Sequence, residues 1–486
     1  MAVQLNYLAP AGWQPEKADE QYVIVQFKLQ LATGVGENMF IQAAASVAAE
    51  SSTGTWTTVE DRADSGMKTA DDYKAIVFDI NEHDHMFKVA YRADLFEPGN
   101  ISGFLAGPAG NIAGMKMVQG LRIFDIRFPR SLVESFPGPR FGIDGLRQLL
   151  GQTEKQPILG TVPKPKVGRT AAEQAILAKR LWSAGDGSYD FIKDDENLTS
   201  LPFNKFEDRC RAILKVQRDI EASGQSKKLY LCNVTHSDID IMLSRANLIA
   251  EEGGRVMMMD VVTTGFAAVH TMRQKNPGLF IHGHRAMHGF MTRESGAGIR
   301  GQGSLWGFSV SMLTLAKIYR LLGVDSLHIG SPKSKMQDYG ESELIDAAMN
   351  PAEVNGYDSF SQFHITREEH HAYQALSLNE TKADANFHTL GQNWYSLKPV
   401  WSVASGGLHP GVIDTVVNKL GRDIFIQLGG GVLGHPGGAE RGVEAALEAR
   451  QAVMRGQTIK EYVKTNPESA LAEAVAKWGT EPKIVY

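Results

Sequence analysis

Cysteine is nearly missing from this chain. Cys210 and Cys232 are the only two in 486 residues, too few for a disulfide framework and badly spaced for a metal knuckle, so a reducing cytoplasm is the simplest home. No apolar run reaches the roughly 20 residues of a membrane-spanning helix. The N-terminal residues lack a basic segment followed by an apolar core, so export is not signalled. Basic runs and zinc-finger spacings are also lacking, and the formal net charge is −5, which argues against general nucleic-acid affinity. What is present is ordinary globular composition, 43% hydrophobic and 22% charged. The length suggests two domains, or one large domain with an appendage. Glycine is abundant at 49 residues, and many glycines follow apolar runs, where unusual dihedrals or close ligand approach need them.

Two rhythms divide the sequence. Over residues 1–145, strand-like and helix-like stretches alternate: 22–29 (YVIVQFKL) has the alternation of a half-buried strand, and 37–50 (ENMFIQAAASVAAE) is an alanine-rich helix suited to a sheet. Further strands are expected at 75–80, 86–91 and 121–128, which makes an α+β domain. Residues 137–139 punctuate its end and 143–150 form a connecting helix. From about residue 157, short and nearly continuous apolar strands are each followed by a helix-length segment. They fall at 158–162, 189–192, 229–234, 256–261, 279–282, 326–329, 401–404 and 424–428. Runs like these suit parallel strands buried on both faces. Eight such units favour a closed (β/α)8 TIM barrel over 146–486 rather than a doubly wound sheet.

The chemistry gathers where those strands end. Residues 189–196 read YDFIKDDE. Lys193 and Asp195 fall on one side as the strand runs out, and a turn can swing Glu196 back toward them. Grouped oxygen ligands suit Mg²⁺. The ammonium of Lys193 cannot ligate a metal; it must be salt-bridged, or neutralised and made acidic, for instance as a carbamate. Taken alone, the stretch is explained better by a solvated acidic strand end than by a metal cluster. The other strand ends shift that balance toward the metal: Lys164 and Lys166, then Asn233 and Thr235, Asp260, His284, Arg285 and His288, His328 with Lys335 beyond, Ser405-Gly406-Gly407, and Gly429-Gly430-Gly431. In a barrel all of these converge on one mouth.

The two glycine runs either form simple turns or turn backbone N–H groups toward a phosphate. Arg285 is either a surface ion pair or, with His328 nearby, a second phosphate grip. Lys164 and Lys166, two apart around Pro165, face one cavity, and a lysine among other cations and away from water can act as a base. Lys335 is an exposed loop lysine or a charge carried in by loop closure. Ser405 has no evident His/Asp relay and reads as a binder of substrate hydroxyls.

With those residues in view, the chain closely resembles the large subunit of ribulose-1,5-bisphosphate carboxylase/oxygenase. The resemblance runs through residues 49–57 (AESSTGTWT), 160–168 (GTVPKPKVG), 190–196 (DFIKDDE), 284–288 (HRAMH), 405–409 (SGGLH) and 429–436 (GGGVLGHP). It implies a carbamate on Lys193, formed from activator CO₂, that holds Mg²⁺ with Asp195 and Glu196. Lys164, tuned by Lys166, would handle protons around C3, and His284 would move protons and bind a substrate hydroxyl. Lys335 would orient CO₂ and the new carboxylate. Arg285 and His328 match the binders of one phosphate; Gly407, Gly429, Gly430, Thr55 and Trp56 match the other, with Ser405 and Gly406 beside substrate. Glu50 and Asn111 match residues lent by the neighbouring subunit, so the smallest active unit implied is a homodimer, without a small subunit. The implied substrates are ribulose 1,5-bisphosphate, CO₂ and O₂.

Two departures stand out. The loop after the sixth barrel strand reads Gly330-Ser331-Pro332-Lys333-Ser334-Lys335, with a proline and a serine where the family carries flexible residues, and Gln337 where an acid is common. The interval 350–392 is polar, contains a charged helix-like run at 366–379, and resembles an assembly or capping insertion of archaeal-type and intermediate second/third-group enzymes. The alternatives are a rubisco-like enolase or isomerase that does not carboxylate, and a noncatalytic homologue that keeps only the barrel.

Overall fold

A computed structural model describes residues 5–55, 70–292, 307–331, 367–385 and 388–481. Strands β1 (Tyr22–Leu31), β2 (Ile76–Asn81), β3 (Met86–Arg92) and β4 (Val118–Arg127) form an antiparallel sheet in the order β4-β1-β3-β2. Alternation sets the register, with Val23 opposite Tyr91 and Phe27 opposite Phe87. The helix Phe40–Glu50 buries Phe40 and its alanines; small side chains allow a close approach, and Phe40 meets Phe87 edge to face at 6.1 Å.

Eight strands close the barrel: β5 (Ile158–Thr161), β6 (Phe191–Lys193), β7 (Leu229–Asn233), β8 (Val256–Asp260), β9 (Phe280–His284), β11 (Ser326–His328), β14 (Trp401–Ala404) and β15 (Ile424–Leu428). Every adjacent pair is parallel, and β15 returns to β5 with Phe425 opposite Ile158. All eight segments expected from the sequence are barrel strands. Their lower halves fill the interior with Phe191, Met258, Phe280, Trp401 and Phe425, and the helix Gly142–Leu150 plugs the floor with Ile143, Leu146 and Leu150. A boundary at 145/146 would cut that helix, so the change of fold falls before Gly142. With the floor packed, polar side chains are left only the opposite, C-terminal rim.

Two features were not foreseen. The short strand β10 (Phe308–Val310) leaves the barrel segment to pair in parallel with β4. It ties the two halves together, as does the buried Lys317–Asp125 pair at 2.6 Å. The helix Arg367–Ser377, part of the expected assembly or capping segment, lies in the crossover between β11 and β14 and packs against the helix Met312–Leu322. It takes the place of the sixth barrel helix. Just after it, β12 (Glu380–Thr381) and β13 (Gln392–Asn393) pair antiparallel. Residues 350–366 and 386–387 of the expected insertion lie outside the described residues. No helix among the described residues is long and apolar enough to cross a membrane.

Candidate active site

Lys193 ends β6 with no exposed surface, its Nζ donating to the Asp194 carbonyl at 2.7 Å. Burial pushes the amine below its ordinary range, against the pull of Glu196, Asp260 and Asp195. The three acids that follow then part company. Asp194 turns away from the mouth to accept hydrogen bonds from Arg209 Nε (3.1 Å), Tyr230 OH (2.7 Å) and the Asn233 N–H (3.1 Å). Asp195 and Glu196 stay at the rim. Asp195 accepts from Lys164 Nζ at 2.8 Å and from the Asn197 amide at 2.9 Å. Glu196 accepts from Lys166 Nζ at 2.8 Å.

Burial alone would raise the Glu196 carboxyl, but the Lys166 hydrogen bond and the charges of His284 and Lys193 bring it to about 2. Lys166 itself is raised by the same bond to Glu196. Of the lysines at this strand end, the one lowered by burial is Lys193.

Across the mouth, His284 Nδ1 lies 2.7 Å from Asp260 Oδ1, leaving Nε2 facing Glu196 Oε2 at 3.9 Å. Burial and the charge of Lys193 lower its pKa, with Asp260 opposing. A hydrogen-bonded row then crosses three strands: Ser326 Oγ to His282 Nδ1 at 2.8 Å, His282 Nε2 to His328 Nε2 at 3.1 Å, and His328 Nδ1 to Ser405 Oγ at 2.8 Å. Two ring nitrogens facing each other can share only one proton, and burial holds both imidazoles well below their ordinary pKa. In the sequence His282 reads only as a strand residue; its place two before His284 is the available signal, since alternate residues share a face. His288 Nδ1 lies 2.9 Å from the Arg285 carbonyl, a local turn contact beside the mouth. Arg285 Nη2 stands 3.7 Å from Glu369 Oε1.

The glycine loops sit beside this group. Gly406 and Gly407 adopt φ of +104° and +80°, which side chains rarely tolerate. A Cβ on Gly429 would lie 3.3 Å from Lys164 Cε, and one on Gly431 would collide with the Leu408 carbonyl and come within 2.6 Å of His409 Cα. Glycine there lets the loops after β14 and β15 touch. Glu50 and Asn111 meet each other, Asn111 Nδ2 donating to Glu50 Oε1 at 3.5 Å. Thr55 is half-buried; Trp56 and Lys335 lie outside the described residues.

Whether this rim suits a magnesium ion turns on its donors. Among the described residues no trio of His, Cys, Asp and Glu is poised to hold a metal. Asp195 and Glu196 supply two hard oxygen donors, and the ammonium groups of Lys164 and Lys166 answer their demand for positive charge. A third anionic donor must come from elsewhere, and Lys193, lowered and adjacent, is placed to supply it as a carbamate. The donor set fits a hard cation on that condition.

Comparison with known proteins shows the family. The model of the ribulose bisphosphate carboxylase large chain, catalytic domain, matches residues 142–478, and that of its N-terminal domain matches 12–132. The chain belongs to the ribulose bisphosphate carboxylase large-chain family. A ribulose bisphosphate carboxylase of Archaeoglobus fulgidus is 40% identical over 471 residues, 96% of each chain. The dimeric archaeal Rubisco of Hyperthermus butylicus superposes with a TM-score of 0.81 at 36% identity, covering 98% of this chain and 99% of that one. The octameric Rubisco of Pyrococcus horikoshii does so at 0.77 and 33%, covering 99% and 98%. The likeness is thus to Rubisco of the archaeal type along its whole length.

Proposed function

We propose that this chain carboxylates ribulose 1,5-bisphosphate with CO₂ to give two molecules of 3-phosphoglycerate, with oxygenation by O₂ as a competing reaction. The observation that carries the reading is a fully buried lysine at a barrel strand end, beside two rim carboxylates already balanced by two further lysines. Lys193 as its carbamate, with Asp195 and Glu196, would hold Mg²⁺. When bound there, the ion would supply Lewis-acid polarisation of the substrate carbonyl and would balance the negative charge that develops beside it.

The chain's own groups do the rest. Lys164 is placed for proton transfer at C3 and Lys166 tunes it through the shared carboxylates. His284, held by Asp260, presents Nε2 to a substrate hydroxyl. Ser405 and Gly406 line the sugar, and His328 is fixed by His282 to face one phosphate with Arg285. Gly407, Gly429 and Gly430, with Thr55 and Trp56, receive the other phosphate. Lys335 would bring positive charge to the new carboxylate as its loop closes and excludes water. Glu50 and Asn111 would serve the neighbouring subunit's site, making a homodimer the smallest active unit. The segment 350–392 would contribute a contact between dimers or a cap. No small subunit is required in this reading, and the compartment is the cytoplasm.

Purified protein given ribulose 1,5-bisphosphate, labelled bicarbonate and Mg²⁺ should place label in 3-phosphoglycerate. Isomerised sugar phosphates without label would instead establish the noncarboxylating enolase or isomerase, a reading favoured only by the altered loop Ser331-Pro332-Lys333-Ser334.

A further inference from the structure

Glu369 is an acid beside the mouth with no part in the chemistry above. It sits in the first turn of the helix Arg367–Ser377 and is 5% exposed. A buried carboxylate requires a compensating cation or donors, and Arg285 stands across from it at 3.7 Å, the two side chains 11% and 6% exposed. That separation is too long for a hydrogen bond; the carboxylate acts on the guanidinium by its field. On its other side Glu369 lies against the root of the loop after β11. Gly330 has φ +105°, and a Cβ there would collide with Glu369 Oε1. The backbone at this point is glycine, and the carboxylate takes the space that glycine leaves.

We propose that Glu369, through its negative charge, sets how strongly phosphate is held at Arg285. Two effects oppose each other. The carboxylate orients Arg285, which favours binding; it also repels an incoming phosphate, which opposes binding. Burial already restrains the Arg285 side chain, so little rotamer freedom remains for Glu369 to remove. Repulsion between like charges among side chains as buried as these is the larger effect. Glu369 therefore holds phosphate affinity down, which would also ease release of a phosphorylated product. The inference rests on Arg285 being a phosphate binder.

The test is Glu369→Gln, which keeps shape and removes charge, assayed with ribulose 1,5-bisphosphate and with inorganic phosphate as a competing anion. KM and the phosphate inhibition constant should both fall by about tenfold, with kcat changing less, while Glu369→Asp restores much of the wild-type behaviour. If Glu369→Gln does not fold, Glu369→Ser is read in the same way. Unchanged or raised constants would overturn the proposal, as would equal loss of kcat and stability with KM unmoved. Arg285→Ala separates the underlying assignment: a KM unaffected by that change removes Arg285 from phosphate binding, whereas a raised KM leaves only the role of Glu369 in question.

Discussion

At the scale of residues, the rim is built by deciding which of several adjacent charges may face it. Asp194 and Asp195 are neighbours in sequence, yet Arg209 and Tyr230 draw the first into a fully buried network while Lys164 holds the second at the mouth. Removing one partner of a buried pair strands the other, at a cost of about 3–5 kcal/mol. Arg209→Met should therefore lower unfolding free energy by about that amount in urea titrations, and Asp194→Asn in the same chain should recover part of it. Full stability in the single variant would show that Tyr230 and the Asn233 N–H suffice. Lys193 offers the complementary case, since Lys193→Met preserves length and burial but deletes the amine. Carboxylation should drop by at least ~10³-fold and preincubation with bicarbonate and Mg²⁺ should no longer raise it, with thermal stability little changed. A variant still activated by that preincubation would end the carbamate assignment.

At the scale of elements, the helix Arg367–Ser377 carries two histidines, His370 and His371, both lowered by burial, His370 to about 3. The unfolded value lies near 6.5, so between those limits the unfolded chain binds the extra proton. The contribution is whole above pH 6.5 and is lost as pH falls toward 3. Between pH 7 and pH 4.5, His370→Gln should flatten the loss of stability by roughly 2.7 kcal/mol, read from denaturant midpoints at those two pH values. An unaltered pH slope would place the acid sensitivity elsewhere, for example at the His282–His328 pair.

This same helix marks where sequence reading stopped short. Apolar strands such as 229–234 and 424–428 announced themselves because a strand buried on both faces needs continuous hydrophobic residues. The crossover helix begins Arg367-Glu368-Glu369 and carries His370, His371 and Gln374 among its apolar residues, so its sequence reads as part of a polar insertion. Strand β10 has three residues with Phe308 47% exposed, too short for alternation to speak. The metal acids were legible as a cluster, but the loss of Asp194 to the interior was not, because its partners lie 15 and 36 residues away. Glycine positions were legible for a plain reason: at Gly431 two loops touch, and no side chain fits.

At the scale of the whole molecule, the question is whether one chain completes a site. Glu50 and Asn111 bond to each other at the end of the helix Phe40–Glu50, a pairing that leaves them as a unit to be offered to another barrel. If sites are shared across a two-fold dimer, every site joins Lys193 of one chain to Glu50 of its partner. Glu50→Gln and Lys193→Met would then each be inactive as pure proteins. Coexpressed in equal amounts, half of the dimers are mixed, and each mixed dimer holds one site with both native residues and one with neither. Activity should therefore return to roughly a quarter of the wild-type value, in proportion to the mixed species isolated with two different affinity tags. Sites completed within one chain would give no recovery at any ratio, because every chain carries one of the two lesions. The same tagged preparations, examined by sedimentation, would distinguish a dimer like that of Hyperthermus butylicus from an octamer like that of Pyrococcus horikoshii; restored activity in the smaller species would locate the shared site in the dimer itself and leave higher assembly to other surfaces.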